Sequence, residues 1–135
     1  MASRTLLVLP DATVAPLVAL VVAAKSTIRL KMFVFTDPSL LGAVIDARKR
    51  GVDVRVMLNA ARRSGESDND DSRKALEAAG VTVLDSNPVF DLTHEKSLVV
   101  DDNLAAVMSL NWETRNVTQT RDYAVVTDRR KEVAE

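Results

Sequence analysis

Two strand-like apolar runs separated by a polar pair constrain this chain more than any other feature. Residues 93–101 read Thr-His-Glu-Lys-Ser-Leu-Val-Val-Asp. Asp102-Asn103 follows, and Leu104 to Trp112 is apolar again except for Ser109 and Asn111. Asp-Asn tolerates positive φ, so the pattern predicts a β-hairpin with a two-residue turn. Asp101 then pairs with Leu104, Lys96 falls opposite Ser109, and His94 falls opposite Asn111. Side chains two apart on a strand share a face, and opposed ones sit about 5 Å apart. The hairpin should therefore gather His94, Lys96, Ser109 and Asn111 on one patch. Polar groups set in apolar strands cost burial energy unless they are paired, which makes this patch the first candidate for chemistry. His94 is the only histidine in the chain. Asp101 lies an odd number of residues from His94 and about 23 Å along the strand, at roughly 3.3 Å per residue. Its expected role is an Asx-type bond to backbone N–H groups at the turn, away from the imidazole.

The rest of the chain supplies a frame for that hairpin. Leu6 to Leu9 reads as a strand and Ala12 to Lys25 as a helix with Pro16 in its first turn. Thr27 to Phe35 alternates Ile28, Leu30, Met32 and Val34 against Arg29, Lys31, Phe33 and Phe35, the period of a strand. Asp37-Pro38 starts a helix carried by Leu40, Leu41, Val44, Ile45 and Ala47, and Arg48-Lys49-Arg50-Gly51 closes it. Val52 to Leu58 is a strand, Asn59 to Ser72 a polar loop, Arg73 to Ala79 a helix and Val81 to Leu84 a short strand. After the hairpin, Trp112 to Arg121 reads as a loop or short turn and Tyr123 to Thr127 as a last strand. Arg129 to Glu135 reads as a helix start without a cap, with Val133 and Ala134 still to bury. The order predicts a single α/β domain over residues 1–135, with a mixed β-sheet flanked by helices.

Composition narrows the chemistry. A chain of 135 residues with 47% hydrophobic content fits one core, and a net charge of −1 gives no general affinity for nucleic acid. With no cysteine and one histidine, the chain offers no disulfide, no cysteine nucleophile and no ligand set for structural zinc. Asp68, Asp70 and Asp71 lack the glycine and terminal glutamate of an EF-hand loop, so calcium is rejected. No metal or cofactor is expected. The apolar run Val14 to Ala24 is too short for a bilayer core, which needs about 20 residues. It also lacks the flanks of a signal peptide. A cytoplasmic setting is the expectation, with peripheral membrane contact open.

His94-Glu95-Lys96, Asp101 and Met108-Ser109-Leu110-Asn111 together resemble the hallmark of the phospholipase D superfamily: His-x-Lys, four residues, Asp, then Gly-Ser-x-Asn. The upstream strand and helix followed by Arg50-Gly51-Val52-Asp53-Val54 resemble the same family, as does Arg121-Asp122-Tyr123-Ala124-Val125-Val126 downstream. Two departures are Met108 where glycine is usual and Asp122 where glutamate is frequent. The resemblance implies a phospholipase D/nuclease-like fold and a metal-independent phosphodiesterase or phosphatidyltransferase working through a phosphohistidine. It implies His94 as nucleophile or acid, and Lys96 and Asn111 on the non-bridging phosphate oxygens. Ser109 would add a further hydrogen bond, and Asp122 would hold the imidazole by its other nitrogen. Glu95 points away from His94 and is disfavoured for that role.

The implied mechanism uses two histidines. The second comes either from a homodimer partner or from a missing half of a longer two-motif enzyme, and the uncapped C-terminal segment favours the latter. Phospholipid head groups are the favoured substrate. Cleavage of DNA or RNA by a homodimer is the alternative, and a non-catalytic dimerisation module is the second alternative. Arg62 and Arg63 follow a strand end where α/β sheets bind ligands, so they are candidate phosphate contacts; the other reading of them is solvated loop charge.

Overall fold

Period-2 burial organises the structure around one sheet face. The computed structural model describes residues 2–60 and 68–135. Its elements are β1 (Arg4–Leu9), α1 (Ala15–Val22), β2 (Thr27–Met32), α2 (Pro38–Lys49), β3 (Asp53–Leu58) and α3 (Asp70–Ala78). Then come β4 (Thr82–Asp85), β5 (Ser97–Val100), β6 (Leu104–Met108), α4 (Thr114–Thr118), β7 (Asp122–Thr127) and α5 (Arg130–Ala134). The strands form one mixed sheet in the order β1-β7-β6-β5-β2-β3-β4. Pairing is parallel from β2 through β3 to β4 and antiparallel everywhere else.

On β2, Ile28, Leu30 and Met32 are buried while Arg29 and Lys31 are exposed. The buried set packs with Val54, Val56, Leu58, Leu98, Val100, Ala106 and Ala124, and with Leu17, Val21, Leu40, Val44 and Leu76 of the helices. Helix α2 forms where expected: Asp37 accepts from the Leu40 N–H at 3.0 Å, Pro38 opens the first turn, and Arg48 and Lys49 face the negative end of the dipole. Gly51 follows at φ 97, a conformation that only glycine adopts without strain.

Four expectations need correction. Helix α3 begins at Asp70, three residues before the predicted start, because Asp70 and Asp71 complement the positive end of its dipole. Trp112 to Arg121 holds a five-residue helix, α4. The predicted helix Ala12 to Lys25 shortens to α1. And β5 begins at Ser97, so His94, Glu95 and Lys96 lie in the irregular approach to the strand.

The hairpin register also differs. Val100, not Asp101, pairs with Leu104, and the turn spans three residues, with Asp101 at φ 53 and Asp102 at φ 54. The cause is a long-range tether. The Asp101 carboxylate accepts from the backbone N–H groups of Lys25 (2.9 Å), Ser26 (2.7 Å) and Thr27 (2.9 Å), and the Asp101 N–H donates to the Thr27 carbonyl. Asp101 does bond backbone N–H groups, but those that open β2, not those of its own turn. Pinned there, it leaves the β5 ladder and lengthens the turn by one residue.

Partial burial works against the Asp101 carboxylate. The bonds from Thr27, Ser26 and Lys25, with the Lys25 charge, outweigh it and hold the group below its ordinary pKa. A depressed carboxyl pKa stabilises the fold fully above the unfolded-state value, and that stabilisation is lost as pH falls through the folded-state value. Asp101→Ala is therefore expected to cost about 1–2 kcal/mol at pH 7. In urea unfolding, the gap between variant and wild type should close as pH drops below about 4; a gap independent of pH would refute the charged tether.

Candidate active site

A register slip of one residue moves side chains to the opposite face of a strand, and here it decides the site. With Val100 opposite Leu104, the Met108 N–H donates to the Lys96 carbonyl at 2.9 Å, so Lys96 stands opposite Met108 and not Ser109. Two positions before Leu98, Lys96 lies on the core-facing side with Leu98 and Val100, and it is only 5% exposed. Its ammonium lies 2.9 Å from His94 Nδ1 and 3.1 Å from Nε2. A neutral imidazole has one nitrogen lone pair, so the ammonium donates to whichever nitrogen carries it.

The His94 ring packs edge-on against Phe33, with centroids 4.7 Å apart, and Lys96 Nζ lies 5.7 Å from the same Phe33 ring. Phe33 is held by Asn69, a buried residue that donates to the carbonyls of Phe33 (2.9 Å) and Asn59 (3.1 Å) and accepts from the Phe35 N–H (2.9 Å). Asn69 thus staples the ends of β2 and β3 beneath the imidazole.

Asn111 reaches the same place from another direction. Trp112 is fully buried and T-stacked on Phe35 at 5.2 Å. Its N–H donates to the Val34 carbonyl, and its carbonyl accepts from Thr36 and Asp37. This clamp lays Asn111 along Val34, whose N–H donates to Asn111 Oδ1 at 3.3 Å. The oxygen is committed to that donor, and the amide NH2 has no partner among the described residues, which leaves two N–H donors for an anion.

Ser109 sits past the end of β6, where the chain bends. Its N–H donates to the Tyr123 carbonyl and its Oγ accepts from the Tyr123 N–H at 2.9 Å, while the hydroxyl proton goes to Asp122 Oδ1 at 2.8 Å. The other Asp122 oxygen accepts from Thr120 Oγ1. No hydrogen bond joins Asp122 to the imidazole, contrary to the expectation. The aspartate is one methylene shorter than glutamate, and two hydroxyls take its oxygens. Its charge acts instead on Lys96.

His94 and Lys96 thus meet directly, Ser109 bonds Asp122, the Asp122 charge acts on Lys96, and Asn111 bonds Val34, whereas simple opposition across a ladder was predicted. Asp101 stands apart, in the turn. Glu95 bonds Ser97 and Lys31, away from the ring. Arg62 and Arg63 lie outside the described residues. Thr120 and Phe33 were not singled out from sequence; a hydroxyl two positions before an aspartate was the only local signal for Thr120.

The electrostatics are coupled. Burial, and then the Lys96 charge, lower the pKa of His94. Burial also lowers the pKa of Lys96, against the opposing pull of Asp122. The imidazole is therefore held neutral beside a cation.

The family described as "Cardiolipin synthase, PLD-like domain" matches residues 17–135. The chain belongs to the phospholipase D superfamily of phosphodiesterases. Mitochondrial cardiolipin hydrolase of Xenopus tropicalis is 31% identical over 126 residues, covering 89% of this chain and 55% of that protein. The Homo sapiens protein of the same name is 29% identical over 119 residues, covering 87% and 45%. The chain spans about half the length of these relatives. Among solved structures, the phospholipase D family member Nuc from Salmonella typhimurium superposes with a TM-score of 0.83 at 27% identity, covering 99% of this chain and 88% of that one. NucT from Helicobacter pylori shares the fold, with a TM-score of 0.87 at 15% identity and coverage of 99% and 90%.

Because His94 is the only histidine, its titration is directly readable by NMR. Lys96→Met removes the neighbouring charge and is expected to raise the His94 pKa toward its ordinary value. An unchanged midpoint would mean that Lys96 does not set it.

Proposed function

We propose that the chain hydrolyses or exchanges phosphodiesters through a phosphohistidine on His94. The observation that carries this reading is the buried Lys96 ammonium on the imidazole nitrogens, at 2.9 and 3.1 Å. Burial, reinforced by that cation, favours the neutral and so nucleophilic ring where an ordinary histidine begins to protonate. When a phosphodiester enters, its anionic oxygen is the stronger acceptor and draws the ammonium off the ring, which frees the lone pair. Imidazole nitrogen then attacks phosphorus: an N–P bond forms and the P–O ester bond breaks. Lys96 and the free amide of Asn111 hold the non-bridging oxygens as charge builds.

The leaving alkoxide takes a proton from a second histidine. Water, giving a proton to that second histidine, then attacks phosphorus, breaks the N–P bond and restores His94, whereas an alcohol in place of water gives transfer. Asp122 keeps Lys96 charged, and Ser109 fixes Asp122. No step in this scheme uses a metal.

A second copy of the chain is the favoured source of the second histidine, as a homodimer sharing one site. Nuc and NucT support this, since this chain covers 88% and 90% of theirs and they are of similar size. A missing half is the other source, supported by the matched region being only 55% and 45% of the two cardiolipin hydrolases. The same relatives, matched over 87–89% of this chain, favour a phospholipid head group as substrate. Nucleic acid comes second, and a non-catalytic module last. The setting we infer is cytoplasmic or at a membrane surface; among the described residues no helix is long and apolar enough to cross a membrane.

The purified chain should cleave a chromogenic phosphodiester in EDTA, and His94→Asn should reduce that activity on the order of a thousandfold or more. Cardiolipin vesicles should compete better than single-stranded DNA. Activity should fall as pH drops through the lowered His94 pKa, and again on the alkaline side as Lys96 deprotonates earlier than an ordinary lysine. Full activity in His94→Asn sinks the site, loss in EDTA sinks the metal-free route, and an active monomer sinks the shared site.

A further inference from the structure

Asp122 is held by two hydroxyls, one of which the mechanism above does not use. Thr120 lies two residues beyond α4, and its Oγ1 donates to Asp122 Oδ2. The same oxygen accepts from Asn116 Nδ2 at 3.2 Å, and its contact with the Asn116 carbonyl is longer, at 3.4 Å. A hydroxyl has one proton, and a carboxylate outcompetes a neutral carbonyl for it. Asn116 therefore aims that proton at Asp122. Ser109 is built the same way from the other side: it accepts from the Tyr123 N–H and gives its proton to Asp122 Oδ1.

A carboxylate with one donor on each oxygen cannot turn about its terminal bond without losing one of them. Freed of one donor, Asp122 could rotate toward the buried Lys96 ammonium, on which its charge already acts. A direct ion pair there would draw Lys96 off the imidazole before any substrate arrives.

We propose that Thr120, backed by Asn116, is a positioning residue: its hydroxyl locks the Asp122 carboxylate onto Ser109, close enough to act on Lys96 but not to capture it, so that Lys96 stays on His94 until a phosphate displaces it. This rests on the phosphodiesterase reading. The competing explanation is that Thr120 only folds back on Asn116 to close α4, which would make its hydroxyl a matter of stability alone.

Thr120→Val keeps the β-branched shape and removes the hydroxyl, while Thr120→Ser keeps the hydroxyl. The expected result for Thr120→Val is a kcat about tenfold lower with KM within twofold, as for a misplaced group acting in the transition state. The ring resonances of His94, the sole histidine, should move with it. Thr120→Ser should restore both. Wild-type kcat and unmoved His94 resonances in Thr120→Val would overturn the proposal. So would equal losses in Val and Ser, or a loss that follows the melting temperature with His94 unmoved. An inactive wild type would defeat the phosphodiesterase reading, yet the His94 resonances need no substrate and would still decide the role of Thr120.

Discussion

Three backbone N–H groups converging on the Asp101 carboxylate are the constraint on which the site depends. Lys25, Ser26 and Thr27 are the residues through which the chain enters β2, and Asp101 is the residue through which it leaves β5. The tether joins two strands that pair in the middle of the sheet. Once Asp101 is held at β2, the β5–β6 register follows, and the register settles which β6 residue stands opposite Lys96. An aspartate in the hairpin turn thus helps to set what surrounds the buried Lys96.

Burying that cation is costly, because an ammonium loses most of its hydration at 5% exposure. The structure offsets the cost with a hydrogen bond to a neutral imidazole nitrogen, the face of Phe33 and the charge of Asp122. The offset is incomplete, as the lowered pKa of Lys96 records. An under-solvated cation beside a neutral nucleophile is poised for an anion, and the free amide of Asn111 widens the same receptor. In the proposed reaction, what stabilises the fold least at this point is what would bind the phosphate.

Much of the frame was legible from single residues. The alternation through β2, the Asp37-Pro38 start and Gly51 stop of α2, and the parallel unit built from them all follow from local chemistry that tertiary contacts reinforce. The hairpin register was not legible, because Asp102-Asn103 suits a two-residue turn and nothing local reveals that Asp101 bonds residues 74–76 positions away. The start of α3 was hidden for a related reason: Asp70 and Asp71 read as loop acids until a helix dipole lies behind them. Asp122 came forward as a candidate to hold the imidazole; its partner Ser109 meets it only when β6 and β7 lie side by side, whereas Thr120, two positions earlier, is a local partner.

The hairpin at residues 93–112 therefore divides cleanly. By itself the sequence determined which polar side chains the hairpin carries, since His94, Lys96, Ser109 and Asn111 are polar groups that an apolar hairpin holds only if they pair with one another or with a ligand. It also determined the superfamily, through their spacing. Tertiary structure alone decided how they meet: Lys96 on the imidazole, Asn111 beneath Val34, Asp122 on two hydroxyls. Residue type and spacing are local properties, whereas register and hydrogen-bond partnership depend on which distant donors arrive first at each acceptor.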